Sequence, residues 1–303
     1  MRHITDSMID AVITPQAAQE ILRNAFTAFG QQSAAMQQRE RTEAGGVKLS
    51  TLGAVIPNQG VTGAKVYTTI AGKFNFVILL FSTDTGEPLA TMEANAITRL
   101  RTAATTVLAA EQLAPKDAQT LLLCGAGVQG LAHAQQIATH YPLRQIHVYD
   151  PYADDAVIEH LATSCGVKTQ RVASTDAVGD AEIVVTASRS AQPLFNGNQI
   201  ANGAFVAAIG SSLPYTREID DVALNRAASI VVEWKQQALQ EAGDLVMASP
   251  ELHVQNKLVE LGELINGSGV TPPKASEISL YKAVGVGLED VALAGLAYRL
   301  INQ

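Results

Sequence analysis

The stretch Leu121–Leu122–Leu123–Cys124–Gly125–Ala126–Gly127–Val128–Gln129–Gly130 decides the fold. Its four apolar residues read as a buried strand, the glycines as a tight turn, and Val128–Tyr141 carries apolar and small residues at helical spacing. Glycine triplets at this spacing arise by chance, so the pattern alone says little. Behind a strand and at the mouth of a helix, it places backbone N–H groups and the positive helix end where a pyrophosphate would lie. Gly125 permits the turn, Gly127 the approach of a phosphate, and Gly130 close packing of helix on strand. The next apolar run, Gln145–Tyr149, ends at Asp150, twenty residues beyond Gly130. A carboxylate there accepts hydrogen bonds from ribose hydroxyls and repels a 2′-phosphate. No arginine follows in Pro151–Tyr152–Ala153, so the expected cofactor is NADH, with NADPH left open.

Outward from this unit, short apolar runs alternate with helical ones. The runs are Thr120–Cys124, Gln145–Tyr149, Val167–Val172, Glu182–Thr186, Ala204–Ile209 and Ser229–Glu233; Asp154–Cys165 is helical and closes at Gly166. Continuous Val, Ile and Leu with little alternation is what a parallel sheet covered on both faces requires. The fold class is therefore α/β, a doubly wound Rossmann domain, assigned to 115–285. Residues 1–114 read differently. A helix over Pro15–Gln31 follows Thr14, a plausible N-cap, and the runs Val47–Ile56, Gly63–Ile70, Phe74–Phe81 and Pro88–Met92 are separated by turn signals, as in an antiparallel set. A long helix, Ala94–Leu113, stops at Pro115. The helical tail Leu288–Ile301, rich in small residues, is expected to return to the first domain, making a discontinuous α+β domain of 1–114 and 286–303.

Composition narrows the function classes. Of 303 residues 47% are hydrophobic and 17% charged, enough for a sizeable core, and the net charge of -8 argues against a nucleic-acid partner. No apolar run approaches the ~18 residues of a membrane span, and Met1–Asp10 lacks a basic segment followed by an apolar one, so the expectation is a soluble cytoplasmic protein without a membrane partner. Cys124 and Cys165 read as buried thiols, no metal-ligand spacing is present, and His133 reads as packed or solvent-facing rather than catalytic.

The cations of the first domain are harder to place. Arginine among small residues, as in Ile97–Thr98–Arg99–Leu100–Arg101–Thr102–Ala103–Ala104, is costly to bury without an anion. Arg99 and Arg101 are two apart and do not share a face, so one is expected in solvent and the other directed inward. Lys65 stands on a strand, on the side of Tyr67 and opposite Val66. Surface cations on strand and helix are the plainer reading, and the residues alone do not bring Lys65 and Arg101 together.

These residues also carry a resemblance. Met92–Glu93–Ala94–Asn95–Ala96–Ile97–Thr98–Arg99–Leu100–Arg101–Thr102–Ala103–Ala104, followed by Gly125–Ala126–Gly127–Val128–Gln129, resembles the ornithine cyclodeaminase/mu-crystallin family. So do Gly243–Asp244, Leu261–Gly262–Glu263–Leu264–Ile265–Asn266–Gly267 and Tyr281–Lys282–Ala283–Val284–Gly285–Val286–Gly287–Leu288–Glu289–Asp290, in the same order over essentially the whole chain. The resemblance implies a homodimer paired through the first domains, with the active site in a cleft facing the Rossmann domain. It implies a substrate carboxylate held by three cations, matching Lys65, Arg101 and Arg41, with Arg39 a close alternative to Arg41. The family's Ser–Val pair near the nicotinamide is Ala283–Val284 here, so the backbone and Val284 keep that role. The expected cofactor-binding set is thus Gly125, Gly127, Val128, Gln129, Gly130, Asp150, Thr186, Ser211 and Val284.

One departure discriminates within the family. Cyclodeaminases carry an aspartate where Gly210–Ser211–Ser212–Leu213–Pro214 has Ser212, and a serine cannot act as a carboxylate base near neutral pH. Ketimine reductases resemble the loop better. The resemblance therefore implies reduction of a small carboxylated cyclic imine, Δ1-pyrroline-2-carboxylate or Δ1-piperideine-2-carboxylate, to L-proline or L-pipecolate. Ornithine cyclodeaminase and alanine dehydrogenase are the enzymatic alternatives. A non-catalytic NAD(P)H-binding protein, in the manner of a lens crystallin, would have no need of Lys65 and Arg101.

Overall fold

The computed structural model describes residues 1–268, 274 and 276–302; Gln303, and residues 269–273 and 275 of the stretch assigned to the Rossmann domain, lie outside them. The chain divides into two compact units, Met1–Thr105 with Gly285–Gln303, and Thr106–Val284. The division falls inside a helix, Asn95–Leu113, rather than at Pro115.

In the first unit the strands are β1 (Arg2–Ile4), β2 (Ala35–Met36), β3 (Glu40–Ala44), β4 (Val47–Ile56), β5 (Val61–Ile70), β6 (Lys73–Ser82) and β7 (Pro88–Glu93). Helices α1 (Asp6–Val12) and α2 (Pro15–Gly30) precede β2, and α3 (Asn95–Leu113) follows β7. Thr14 caps α2 by accepting from the Ala17 N–H, with Pro15 at the first helical position, where a missing N–H costs nothing. The sheet order is β1-β7-β6-β5-β4-β2, with β3 also on β4; β1 is parallel to β7 and the remaining pairs are antiparallel. Register places Leu52, Lys65, Ile78 and Met92 in one row, so these side chains share a face. Against that face lies the closing helix, α10 by its place in the chain (Gly287–Ile301): its Asp290 reaches Lys65 and its Gly295 meets Val61. The opposite face leaves Val47, Leu49, Val55, Ile70 and Val77 each 41–49% exposed.

The second unit contains β8 (Thr120–Cys124), α4 (Val128–His140), β9 (Gln145–Tyr149), α5 (Asp155–Cys165), β10 (Lys168–Arg171), β11 (Ile183–Thr186), β12 (Phe205–Ala208), α6 (Asp221–Arg226) and β13 (Ala227–Val232). It continues with α7 (Lys235–Glu241), α8 (Gly243–Val246), β14 (Leu258–Glu260), α9 (Leu261–Ile265) and β15 (Ile278–Lys282). All eight strands are parallel, in the order β10-β9-β8-β11-β12-β15-β13-β14. Reversal of strand order beside β8 is the doubly wound arrangement. The central strands β11 and β12 are buried at every residue, which is why they read as continuous apolar runs. Strand β15, which sequence periodicity does not pick out, enters between β12 and β13. Both cysteines are free thiols, Cys124 fully buried and Cys165 half-buried.

Candidate active site

In the second unit, Tyr149, Cys124, Thr186, Ala208, Lys282 and Val232 pair in one row across the sheet. Asp150, Gly125, Ala187, Ile209, Ala283 and Glu233 therefore follow at a single carboxyl edge, outside which ligands of such sheets bind. The glycine turn is tight. A Cβ on Gly130 would run into the carbonyl oxygen of Gly125, so helix and strand close only around glycine there. Gly127 is different: its φ of -74° suits any residue, and a Cβ would meet nothing within 4 Å. It stands at the N-cap of α4, where no side chain caps the helix.

Asp150 is held beside this turn by two backbone donors, the Ala126 N–H on Oδ2 and the Tyr152 N–H on Oδ1, each at 2.8 Å. Val128, at the start of α4, is 65% exposed despite being apolar, and Gln129 is half-buried. The side chains of Thr186 and Ser211 are committed to the protein. Thr186 Oγ1 donates to Glu218 Oε2 at 2.8 Å, and the Ser211 hydroxyl bonds both the carbonyl and the hydroxyl of Thr216. The Val284 N–H donates to the Glu233 carboxylate at 3.0 Å. His133 is buried, with Nδ1 on the Gln129 carbonyl and Nε2 on the Thr106 hydroxyl, which ties α4 to α3.

Sequence reasoning missed the buried charges beneath this edge. Glu218 accepts from Thr186 Oγ1, from the Ser188 N–H and hydroxyl, and from the Gly210 N–H, pinning the loops after β11 and β12 together. Asp244 accepts from the Glu218 and Ile219 N–H groups and pairs with Lys282 Nζ at 2.8 Å. Burial pushes the Glu218 carboxyl above its ordinary range while Lys282 pulls it back. A lysine closing the apolar run Ile278–Lys282 was the signal available, but nothing in one sequence names its partner.

The first unit gathers cations. Lys65 is 2% exposed; its ammonium lies 2.8 Å from both oxygens of Asp290 and 5.3 Å from the centre of the Phe76 ring. Arg101, also buried, donates from Nη1 to Glu289 Oε2 at 2.6 Å and brings Nε within 3.5 Å of Asp290 Oδ1. Arg39 Nη2 donates to the Gly285 carbonyl at 2.7 Å. Gly285 has φ +76°, and a Cβ there would lie 2.7 Å from an Arg101 nitrogen, so the turn before α10 presses its backbone against the guanidinium. Burial lowers the Lys65 pKa to about 8; Asp290 opposes that shift, while Arg101 and Arg39 add to it.

Lys65 and Arg101 thus meet around one pair of carboxylates, and the surface-cation reading fails for both. Arg99 is the solvated member of its pair, bound to Asp10. Arg39 also stands close enough for its charge to act on Lys65. Arg41 sits opposite Ser50, in the row of Tyr67, on the same face but two residues along. Glu289 and Asp290 stood in the motif without an assigned task; their acidic pair at a helix start was the available clue. Among the described residues no group of histidine, cysteine and carboxylate side chains could hold a metal ion, and no helix is long and apolar enough to cross a membrane.

Comparison with known proteins adds four findings. Residues 23–303 match the ornithine cyclodeaminase/mu-crystallin family. Over 222 residues the chain is 31% identical to the ketimine reductase mu-crystallin of Mus musculus, covering 73% of this chain and 68% of that one. Among solved structures, the probable ornithine cyclodeaminase from Bordetella pertussis Tohama I is 57% identical with a TM-score of 0.98, covering 99% of this chain and 97% of that chain. The Thermococcus litoralis Δ1-pyrroline-2-carboxylate reductase in complex with NADH and L-proline is 25% identical with a TM-score of 0.92, at the same coverage of 99% and 97%.

Proposed function

The chain belongs to the ornithine cyclodeaminase/mu-crystallin family, and on that premise we propose that it is an NAD(P)H-dependent reductase of a small cyclic α-imino acid. Its substrate is Δ1-pyrroline-2-carboxylate or Δ1-piperideine-2-carboxylate, and its product L-proline or L-pipecolate. The observation that carries this reading is the convergence of Lys65 of β5, Arg101 of α3 and Arg39 of the segment before β3 on one cluster. A protein that only stored a nucleotide would have no use for it.

The second unit fits a dinucleotide. An uncapped helix start at Gly127, with room where a Cβ would stand, suits a pyrophosphate. Asp150, fixed by two backbone donors, suits ribose hydroxyls and favours NADH over NADPH. The chemistry that the cofactor supplies when bound is hydride transfer, here to C2 of the C=N bond. Lys65, Arg101 and Arg39 hold the substrate carboxylate and so orient the prochiral carbon, a positioning contribution. Arg41, two residues along on the same face, is the other candidate for the third of these roles. Of the three cations Lys65 alone exchanges a proton near neutrality, because arginine stays charged throughout.

A second reading, cyclodeamination of ornithine, is favoured by the likeness to the Bordetella protein. Against it, the loop after β12 offers Ser212, and the carboxylate beneath that loop, Glu218, is buried with four hydrogen bonds already accepted. The test mixes purified protein, NADH and each cyclic imine, following NADH absorbance and the amino acid formed. Turnover to L-proline or L-pipecolate is expected. Ammonia release from L-ornithine without imine turnover would replace the reductase reading with the cyclodeaminase one. Tight NADH binding with neither reaction would favour a non-catalytic role. The same reading makes the protein a homodimer, and the bare sheet face carrying Leu49, Val55 and Val77 supports pairing through the first unit.

A further inference from the structure

A cavity of about 420 Å³ opens in the first unit, away from the cation cluster and sharing no residue with it. Its polar lining is Asn24, Thr27 and Gln31 of α2, Asn58 and Gln59 of the turn after β4, and Arg299 of α10. Arg299 is half-buried, and burial lowers its pKa. Among the described residues it has no carboxylate partner; its one side-chain bond is from Nη1 to the Gln59 carbonyl at 3.1 Å. Gln59 is itself anchored, its Nε2 donating to the Ile21 carbonyl at 3.1 Å, while its Oε1 is buried and accepts nothing.

A guanidinium partly stripped of water, with donors left over, is stabilised by an anion, and a carboxylate matches its fork in two parallel hydrogen bonds. Around it stand the amides of Asn24, Gln31 and Asn58, each able to donate and to accept, and the acceptor Gln59 Oε1. Acceptors beside a cation call for a ligand that brings its own N–H donors along with its negative charge. The volume lies within the range of small-molecule sites. We infer that this cavity is a second binding site, for a small α-amino acid whose carboxylate seats on Arg299 and whose ammonium faces the amide oxygens. The site stands independently of which imine, if any, the cation cluster takes.

The test is calorimetric titration of the full-length protein with L-glutamine, using acetate and inorganic phosphate as comparators. It is run on the wild type and on Arg101→Gln, so that binding at the cation cluster is told apart. Glutamine is expected to bind both proteins alike, and more tightly than acetate or phosphate. Arg299→Gln keeps a donor toward the Gln59 carbonyl and is expected to weaken glutamine roughly tenfold to hundredfold, the value of a charge-assisted hydrogen bond, with NADH affinity unchanged. Asn24→Leu replaces a lining amide by an apolar group, leaves the arginine in place and is expected to weaken glutamine as well. No binding to the wild type at millimolar glutamine would overturn the site. So would binding that survives both variants, or binding lost in Arg101→Gln. Phosphate binding as tightly as glutamine would overturn the amino-acid assignment.

Discussion

At Lys65 burial and a carboxylate pull in opposite directions, and burial wins, leaving a pKa of about 8. A lysine holds its charge below its pKa, so its grip on a carboxylate is full below about pH 8 and is lost as the pH rises through that value. KM for the imine is expected to climb above pH 8 while the NADH dissociation constant stays flat. Lys65→Arg should remove the inflection. Arg101→Gln is expected to raise KM roughly tenfold to hundredfold, the range for a charged hydrogen bond, with NADH binding near wild type in a fluorescence titration. Equal loss of both would make Arg101 structural. Arg39→Ala should cost more in KM than Arg41→Ala, because Arg39 stands beside Lys65 and Arg41 a row away. Sequence told that Lys65 and Arg101 were expensive to bury, but that argument gives a cost without a partner. It could not choose between Arg39 and Arg41 because alternation puts both on one face. In the fold, the turn at Gly285, 246 residues from Arg39, accepts a hydrogen bond from it.

At the scale of elements, the strand–turn–helix β8–α4 separates packing from binding. Gly130→Ala collides with the Gly125 carbonyl and is expected to lower the melting temperature by several degrees, as a loss of about 1–3 kcal/mol would in a chain of this size. Gly127→Ala meets nothing in the protein, so it should melt like wild type and yet bind NADH more weakly. A destabilised Gly127→Ala with intact NADH affinity would show that the turn needs this glycine for its own shape. These elements were legible because a strand buried on both faces has no choice but to be apolar, as β8 and β12 are. Strand β15 was not, since it is entered out of chain order and ends in Lys282, whose burial makes sense only with Asp244 beside it. Short β14 lies at the sheet edge, where the apolar requirement relaxes.

For the whole molecule, the bare face of the first unit bears on the proposed dimer. A sheet face carrying Val47, Leu49, Val55, Ile70 and Val77 in water invites a partner. Light scattering is expected to give twice the 32.0 kDa chain mass. Leu49→Asp with Val77→Asp should yield monomers that keep NADH affinity; a wild-type monomer would remove the dimer from the proposal. In β4 both alternating sets are apolar, Val47, Leu49 and Val55 on one and Leu52, Ala54 and Ile56 on the other, so alternation does not say which one α10 covers. That helix has a consequence of its own for biosynthesis. It belongs to the first unit, yet the ribosome makes it after all of residues 106–284. At ordinary rates of synthesis, residues 1–105 therefore spend roughly ten to forty seconds outside the tunnel without Glu289 and Asp290. Throughout that interval Lys65 and Arg101 lack their counter-ions and the inner sheet face lacks its covering helix, so the part of the chain born first is the part completed last.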